Sequence, residues 1–188
     1  GFTGDLKIPN NVTSIGDYAF NGCYGFTGDL KIPNSVTTID NYAFNGCSGF
    51  TGDLKIPNSV TTIGESAFKN CYGFTGNLVI PDNVEYIGTS TFENCSGLDS
   101  LTIPNSVIRI YPYAFAGCTN LTTVITSCDP QLDYDFGDGV TIKQEHAYEN
   151  GVCTICDKAC DHSESTHETY TDNGDGTFSY SYTPMAQE

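Results

Sequence analysis

The chain repeats itself every 24 residues, and this period limits its possible folds more than any other feature. The string G-F-T-G-D-L-K-I-P-N begins at Gly1, Gly25 and Gly49, and returns as G-F-T-G-N-L-V-I-P-D at Gly73. A copy one residue shorter, G-L-D-S-L-T-I-P-N, begins at Gly97, and a sixth opens at Asn120 as N-L-T-T-V-I-T and then fades. Aligned, the copies form apolar columns. Phe2, Phe26, Phe50 and Phe74 are followed by Leu98 and Leu121; Leu6, Leu30, Leu54, Leu78 and Leu101 by Val124. The other columns start at Ile8, Val12, Ile15, Phe20 and Cys23. One copy is too short to bury seven apolar side chains alone, but copies stacked in register share one continuous interior.

Within a copy, L-x-I-P alternates inward and outward and reads as a short strand, stopped by a proline that cannot donate to a ladder. The P-N or P-D that follows marks a turn. V-T-S-I or V-T-T-I is a second extended piece, its β-branched side chains suited to a pleated surface. D-Y-A-F-N-G-C carries a Gly or Asn two residues after the Phe, which predicts one helical or 3₁₀ turn ending in a left-handed cap. Neighbouring coils are expected about 4.8 Å apart where strands pair.

Composition narrows the function. With 23 acidic and 7 basic side chains the net charge is −16, which disfavours nucleic acid and anionic membrane surfaces as partners. No apolar run reaches the ~18–20 residues that span a bilayer, so direct membrane insertion is not expected. The single Met is Met185, so the chain reads as a processed or excised piece. Of 42 Leu, Ile, Val and Phe residues, 35 fall within residues 1–126. The expected division is a solenoid over 1–128, a cap or linker over 129–145, and a small Cys- and His-containing module over 146–188.

The full pattern I-P-N-S-V-T-x-I-G-x-x-A-F-x-x-C resembles the BspA-type leucine-rich repeat of bacterial surface proteins, and Leu98-x₂-Leu101-x-Ile103 resembles the strand portion of such a repeat. The resemblance implies a curved, right-handed solenoid, secreted or displayed on the cell surface, acting by adhesion or ligand binding. The expected fold is therefore mainly β with short helical or 3₁₀ turns: a leucine-rich-repeat solenoid of about five to six coils of 23–24 residues, plus a small hairpin-containing C-terminal module. The first four copies carry one extra residue, and Gly4, Gly28, Gly52 and Gly76 in that insertion would permit a bulge.

Alternation points Asp5, Lys7, Asp29, Lys31, Asp53 and Lys55 outward from the strand face. They read either as a solvated surface whose stacked charges partly neutralise each other, or as a binding face that changes character at Asn77/Val79 and Ser100/Thr102. Tyr18, Tyr42 and Tyr113 in the turn segment, and Tyr24 and Tyr72 just after the cysteine, form a second outward set. Exposed tyrosines suit recognition because they supply contact area at low entropy cost, though they also simply cover neighbouring coils. The cysteine column reads as buried, inert thiols, since parallel stacking aims the Cβ atoms alike rather than at one another.

Beyond Cys128 the repeat stops. Asp129–Gln144 is acidic and turn-rich, suited to covering the last coil. Cys153-x₂-Cys156 has the spacing of half a zinc knuckle, with Cys160 and His162 as the nearest further ligands and His146 and His167 as substitutes. One structural zinc, a Cys153–Cys156 or Cys156–Cys160 disulfide, and free thiols are the three readings; zinc is the one adopted. H-A-Y-E-N-G-V-C-T-I-C-D is similar to short Cys-containing modules behind such repeats in gut bacteria, with Asp157 where those usually have Gly. D-N-G-D-G-T at 172–177 lacks the spacing of a calcium loop and reads as a turn between two β-prone runs.

No catalytic constellation, phosphate loop or dinucleotide fingerprint is present, so an enzyme is not expected. The expected function is an extracellular or cell-surface bacterial binding module for a host or microbial protein or glycan. The alternative is a structural spacer that projects another domain. An uncovered first coil would add end-to-end self-association, or contact with further repeats of a longer parent.

Overall fold

The computed structural model describes residues 1–127, 134–137, 139–149, 152–153, 169–172 and 177–182. Their elements are β1 (Ser14–Ile15), β2 (Thr38–Ile39), β3 (Gly52–Asp53), β4 (Thr62–Ile63), β5 (Phe74–Val79), β6 (Tyr86–Ile87), β7 (Leu98–Ile103), β8 (Arg109–Ile110), β9 (Thr123–Ser127), β10 (Thr141–Glu149), β11 (Val152–Cys153), β12 (Thr169–Asp172) and β13 (Thr177–Tyr182). No α-helix or 3₁₀ helix occurs among the described residues. The molecule is a mainly β solenoid of about five turns, as the repeat requires.

Each coil contributes to two parallel ladders. The F-T-G-D stretch together with the L-x-I that follows builds the main sheet, in which β3, β5, β7 and β9 pair in parallel and the first coils join through bridges at Gly4↔Phe26, Gly28↔Phe50 and Lys31↔Lys55. V-T-x-I builds the second, with β1, β2 and β4 in register and then β6 with β8. The register slips between Gly76 and Asn77, where the inserted glycine sits at φ +72°, so the predicted bulge is present. β10 extends the main sheet parallel to β9 and also pairs antiparallel with β13. β12 and β13 pair antiparallel, with Asp172 facing Phe178.

The predicted helical turn is corrected. In Gly16–Cys23 the backbone N–H groups of Ala19, Asn21 and Cys23 donate to the carbonyls of Gly16, Tyr18 and Phe20, each three residues back. The intervening N–H groups of Tyr18, Phe20 and Gly22 donate to Asn41, Ala43 and Asn45 of the next coil. A helix would have spent every donor internally. Chained turns satisfy alternate donors within the coil and use the rest to hold the neighbour. The left-handed cap two residues after each Phe is confirmed at Gly22, Gly46, Asn70, Asn94 and Gly117, with φ from 60° to 74°.

The interior is an aromatic stack. Phe20, Phe44, Phe68, Phe92 and Phe115 pile ring on ring with centroids 5.2–5.5 Å apart, and Phe2, Phe26, Phe50 and Phe74 do so at 5.9–6.1 Å. The two stacks meet edge to face, as at Phe44–Phe50. Copies two to five approach their predecessors this closely because each opens on glycine: a Cβ on Gly73 would run into the Phe50 carbonyl oxygen. At the far end Tyr134 and Phe136 pack on Phe115, and Val140 and Ile142 join the same core.

Candidate binding surface

The turn segments present the aromatic residues. The backbone alternation that links coils puts Tyr18, Tyr42, Ser66, Ser90 and Tyr113 in the left-handed region, at φ 54–63°. A bulky side chain is rare there. Tyr18 and Tyr113 are exposed, and Tyr42 is half-buried because it stacks on Tyr18 with centroids 4.9 Å apart and planes within 1°. The Tyr42 hydroxyl donates to the Glu65 carboxylate at 3.5 Å. Tyr24 is 74% exposed, and Tyr72 is exposed with its hydroxyl donating to Asn70 at 3.1 Å. All five predicted tyrosines thus lie on the turn edge, and Tyr18 and Tyr42 are brought together.

The same turns carry a polar ladder that column reading missed. Asn45 donates its side-chain amide to Asn21 at 2.9 Å, and Asn94 donates to Asn70 at 2.8 Å. Two coils beyond Asn21 and Asn45, the same column holds Lys69 and Glu93, paired at 2.8 Å. Partial burial pushes the Glu93 carboxyl up, but hydrogen bonds from Lys69 and Ser90 and the Lys69 charge hold it below its ordinary value overall. The signal was available: Asn at both 21 and 45, then opposite charges at 69 and 93.

On the main sheet Asp5, Lys7, Asp29, Lys31, Asp53 and Lys55 are all exposed, as alternation requires. Their expected mutual neutralisation does not take the form of ion pairs: among the described residues the one ion pair is Lys69–Glu93. The reason is spacing. Asp and Lys stand two residues apart on one strand, about 7 Å, and across coils Lys31 faces Lys55 while Asp53 lies in register with Thr75. In later coils the columns become Asn77, Ser100 and Thr123 beside Val79, Thr102 and Ile125. Asn77 accepts from the Ser100 hydroxyl at 3.1 Å and donates to Thr102 at 3.2 Å.

The cysteine column is unsuited to chemistry. Cys47, Cys71, Cys95 and Cys118 are buried and free, and each thiol donates to the carbonyl of the preceding coil's column Phe at 3.0–3.3 Å. Burial pushes the Cys47 and Cys118 thiols up to about 12, and raises Cys71 and Cys95 as well. They remain protonated at neutral pH, so thiolate nucleophiles and metal ligands are not available here.

A cavity of about 950 Å³ opens at the far end of the solenoid, between Arg109, Tyr113 and Phe115 and the covering Tyr134, Phe136 and Val140. Arg109 lies over the Tyr111 ring at 4.8 Å. Of the expected zinc ligands, Cys156, Cys160 and His162 lie outside the described residues, as does His167. Cys153 ends β11 and His146 lies within β10, but their side chains are likewise outside. No helix among the described residues is long and apolar enough to cross a membrane.

The BspA-type leucine-rich repeat region matches residues 3–122 in six copies. Among solved structures, a leucine-rich repeat protein from Bacteroides ovatus is 28% identical with a TM-score of 0.55, over 72% of this chain and 38% of its own. A leucine-rich cell surface protein from Faecalibacterium prausnitzii is 24% identical with a TM-score of 0.51, over 74% and 34%. The T. pallidum leucine-rich repeat protein is 24% identical with a TM-score of 0.53, over 60% and 62%. The chain thus spans well under half the length of the first two. No curated protein matches it. The match covers the first five coils nearly end to end, and the chain belongs to the BspA-type leucine-rich repeat family.

Proposed function

We propose that this chain is an extracellular bacterial binding module, displayed at the cell surface or released from it, that recognises a protein or glycan through the turn edge of its solenoid. One observation carries the reading. Tyr18, Tyr42 and Tyr113 occupy positions that Ser66 and Ser90 fill in the other coils with the same left-handed backbone. Likewise Tyr24 and Tyr72 stand where Ser48 and Ser96 serve. The coil folds with serine there, so packing does not demand the aromatic ring. Solvent-facing tyrosines beside amide ladders match the chemistry of a recognition surface. The cell-surface description of the Faecalibacterium prausnitzii structure agrees in kind.

The test is surface plasmon resonance against extracellular-matrix proteins and bacterial and host glycans, comparing the native chain with Tyr18→Ser/Tyr42→Ser/Tyr113→Ser. These substitutions copy residues the fold already accepts. The expected result is a partner whose affinity falls at least about tenfold in the variant, the scale of one lost hot spot. Unchanged affinity removes the turn edge from the reading. The second reading, a spacer that projects another domain, is favoured by the near-identity of the first three coils. Uniformly flat responses across the panel support it.

A further inference from the structure

The charged half of the main sheet has a symmetry that the tyrosine edge lacks. Asp5, Asp29 and Asp53 form one column across the first three coils, and Lys7, Lys31 and Lys55 form the neighbouring column. Lys31 and Lys55 face each other directly in parallel register. All six side chains are exposed, and no ion pair among the described residues joins them. Like charges opposite one another on adjacent strands repel. Each column therefore carries three unneutralised charges of one sign at one-coil spacing.

Two such faces fit each other in one orientation. Rotating a second copy by half a turn about the solenoid axis, then laying its sheet face on the first, keeps coil over coil and reverses the strand direction. The Asp column of one copy then lies over the Lys column of the other, at all three coils together. A half-turn about the strand direction places Asp over Asp and Lys over Lys, which is repulsive. The permitted arrangement is isologous: Asp5 meets the Lys7 position of the other copy, and the reverse. Beyond coil three the same face carries Asn77, Ser100 and Thr123 beside Val79, Thr102 and Ile125, and the exposed Asp99 is the one charged residue of β5, β7 and β9.

We infer that the Asp/Lys face is a self-recognition surface, through which two copies of this chain associate sheet to sheet with their solenoid axes side by side. The occupant is a second copy rather than a foreign chain because one two-fold operation satisfies all three charge pairs on each side at once. The contact depends on exposed charges, so it is weak and sensitive to salt. It uses neither the turn-edge tyrosines nor the open end of the first coil at Phe2. Its failure and the failure of the proposed binding function are therefore separate results.

Sedimentation velocity over a range of protein concentrations tests it. In about 20 mM salt the native chain is expected to approach the mass of a dimer, with the dissociation constant rising at least about tenfold in about 0.5 M salt as the charges are screened. Lys7→Glu/Lys31→Glu/Lys55→Glu and Asp5→Lys/Asp29→Lys/Asp53→Lys are each expected to remain monomeric while keeping the native circular dichroism. Mixed in equal amounts, the two variants are expected to form a one-to-one complex. A native chain that stays monomeric at low salt overturns the inference. So does a dimer that survives the Lys→Glu variant and dissolves on Phe2→Ser, because that dimer would use the open end of the first coil.

Discussion

The two ends of the aromatic stack differ. Phe2 heads one column with 76% of its surface exposed, and Leu6, Ile8, Val12, Phe20 and Cys23 around it are only partly buried. Phe115 ends the other column at 4% exposed, because Tyr134 and Phe136 lie against its ring. Within one column, Phe20 is only partly buried while Phe115 is sealed, so the same repeat position acquires different weight from its neighbours. A solenoid residue is stabilised by the coil on either side, and the first coil has a described neighbour on only one.

The largest expected effect sharpens that contrast. Phe68→Ala removes a ring buried between Phe44 and Phe92, and should cost about 3–5 kcal/mol in urea unfolding followed by far-ultraviolet circular dichroism. Phe2→Ala changes a mostly solvated ring and should cost less than about 0.5 kcal/mol. If the two losses are comparable, the first coil is covered in solution and the contrast fails.

At the sealed end, Tyr134 contributes both its ring and its hydroxyl, which accepts the Phe115 N–H at 2.9 Å. Tyr134→Ala should cost about 2–3 kcal/mol, since it uncovers Phe115 and leaves that N–H unpaired. Tyr134→Phe keeps the ring and should cost about 1 kcal/mol, which isolates the hydrogen bond. An alanine variant as stable as the native chain would mean that the covering segment rests on the solenoid without sealing it.

Most of this interior is legible in the sequence. Columns of Phe, Leu, Ile and Val name the buried residues, and the proline and glycine positions bound the strands. The path of the turn was not legible, because D-Y-A-F-N-G-C has a helix-like local pattern while its backbone donors are shared with the next coil. No local propensity reports on a bond to residue 41 or 43. The tyrosines were legible as outward-facing, but the left-handed backbone of Tyr18, Tyr42 and Tyr113 was not, since serine at the equivalent positions gives no hint of it. Lys69–Glu93 was visible in the column but hidden by reading only the repeated residues.

The thiol ladder separates interior from surface by pH. Burial raises Cys47 and Cys118 from 9.0 to about 12. Above pH 9 the unfolded chain releases these protons while the folded chain holds them. Their contribution to stability is complete below about pH 9 and falls away as pH rises towards 12. Urea midpoints should therefore drop across that window, and Cys47→Ala/Cys118→Ala should flatten the drop while lowering stability at pH 7 by a smaller amount. An equally steep fall in the variant would assign the alkaline sensitivity elsewhere.

The smallest effect compares two pairs in one column, Asn21–Asn45 near the open end and Lys69–Glu93 in the middle. Both link adjacent coils at about the same distance, 2.9 and 2.8 Å, but only the second is charged. Each Lys69–Glu93 partner is partly solvated, so a double-mutant cycle of Lys69→Met and Glu93→Gln should return about 0.3–1 kcal/mol at low salt, shrinking as salt rises. The carboxyl sits below its ordinary value when folded, so the coupling should be complete above the unfolded value near 4.3 and fade as pH falls through the lower folded one. The cycle through Asn21→Ala and Asn45→Ala should show neither dependence. Equal salt responses from both pairs would mean that shared packing, and not the ion pair, links coils three and four.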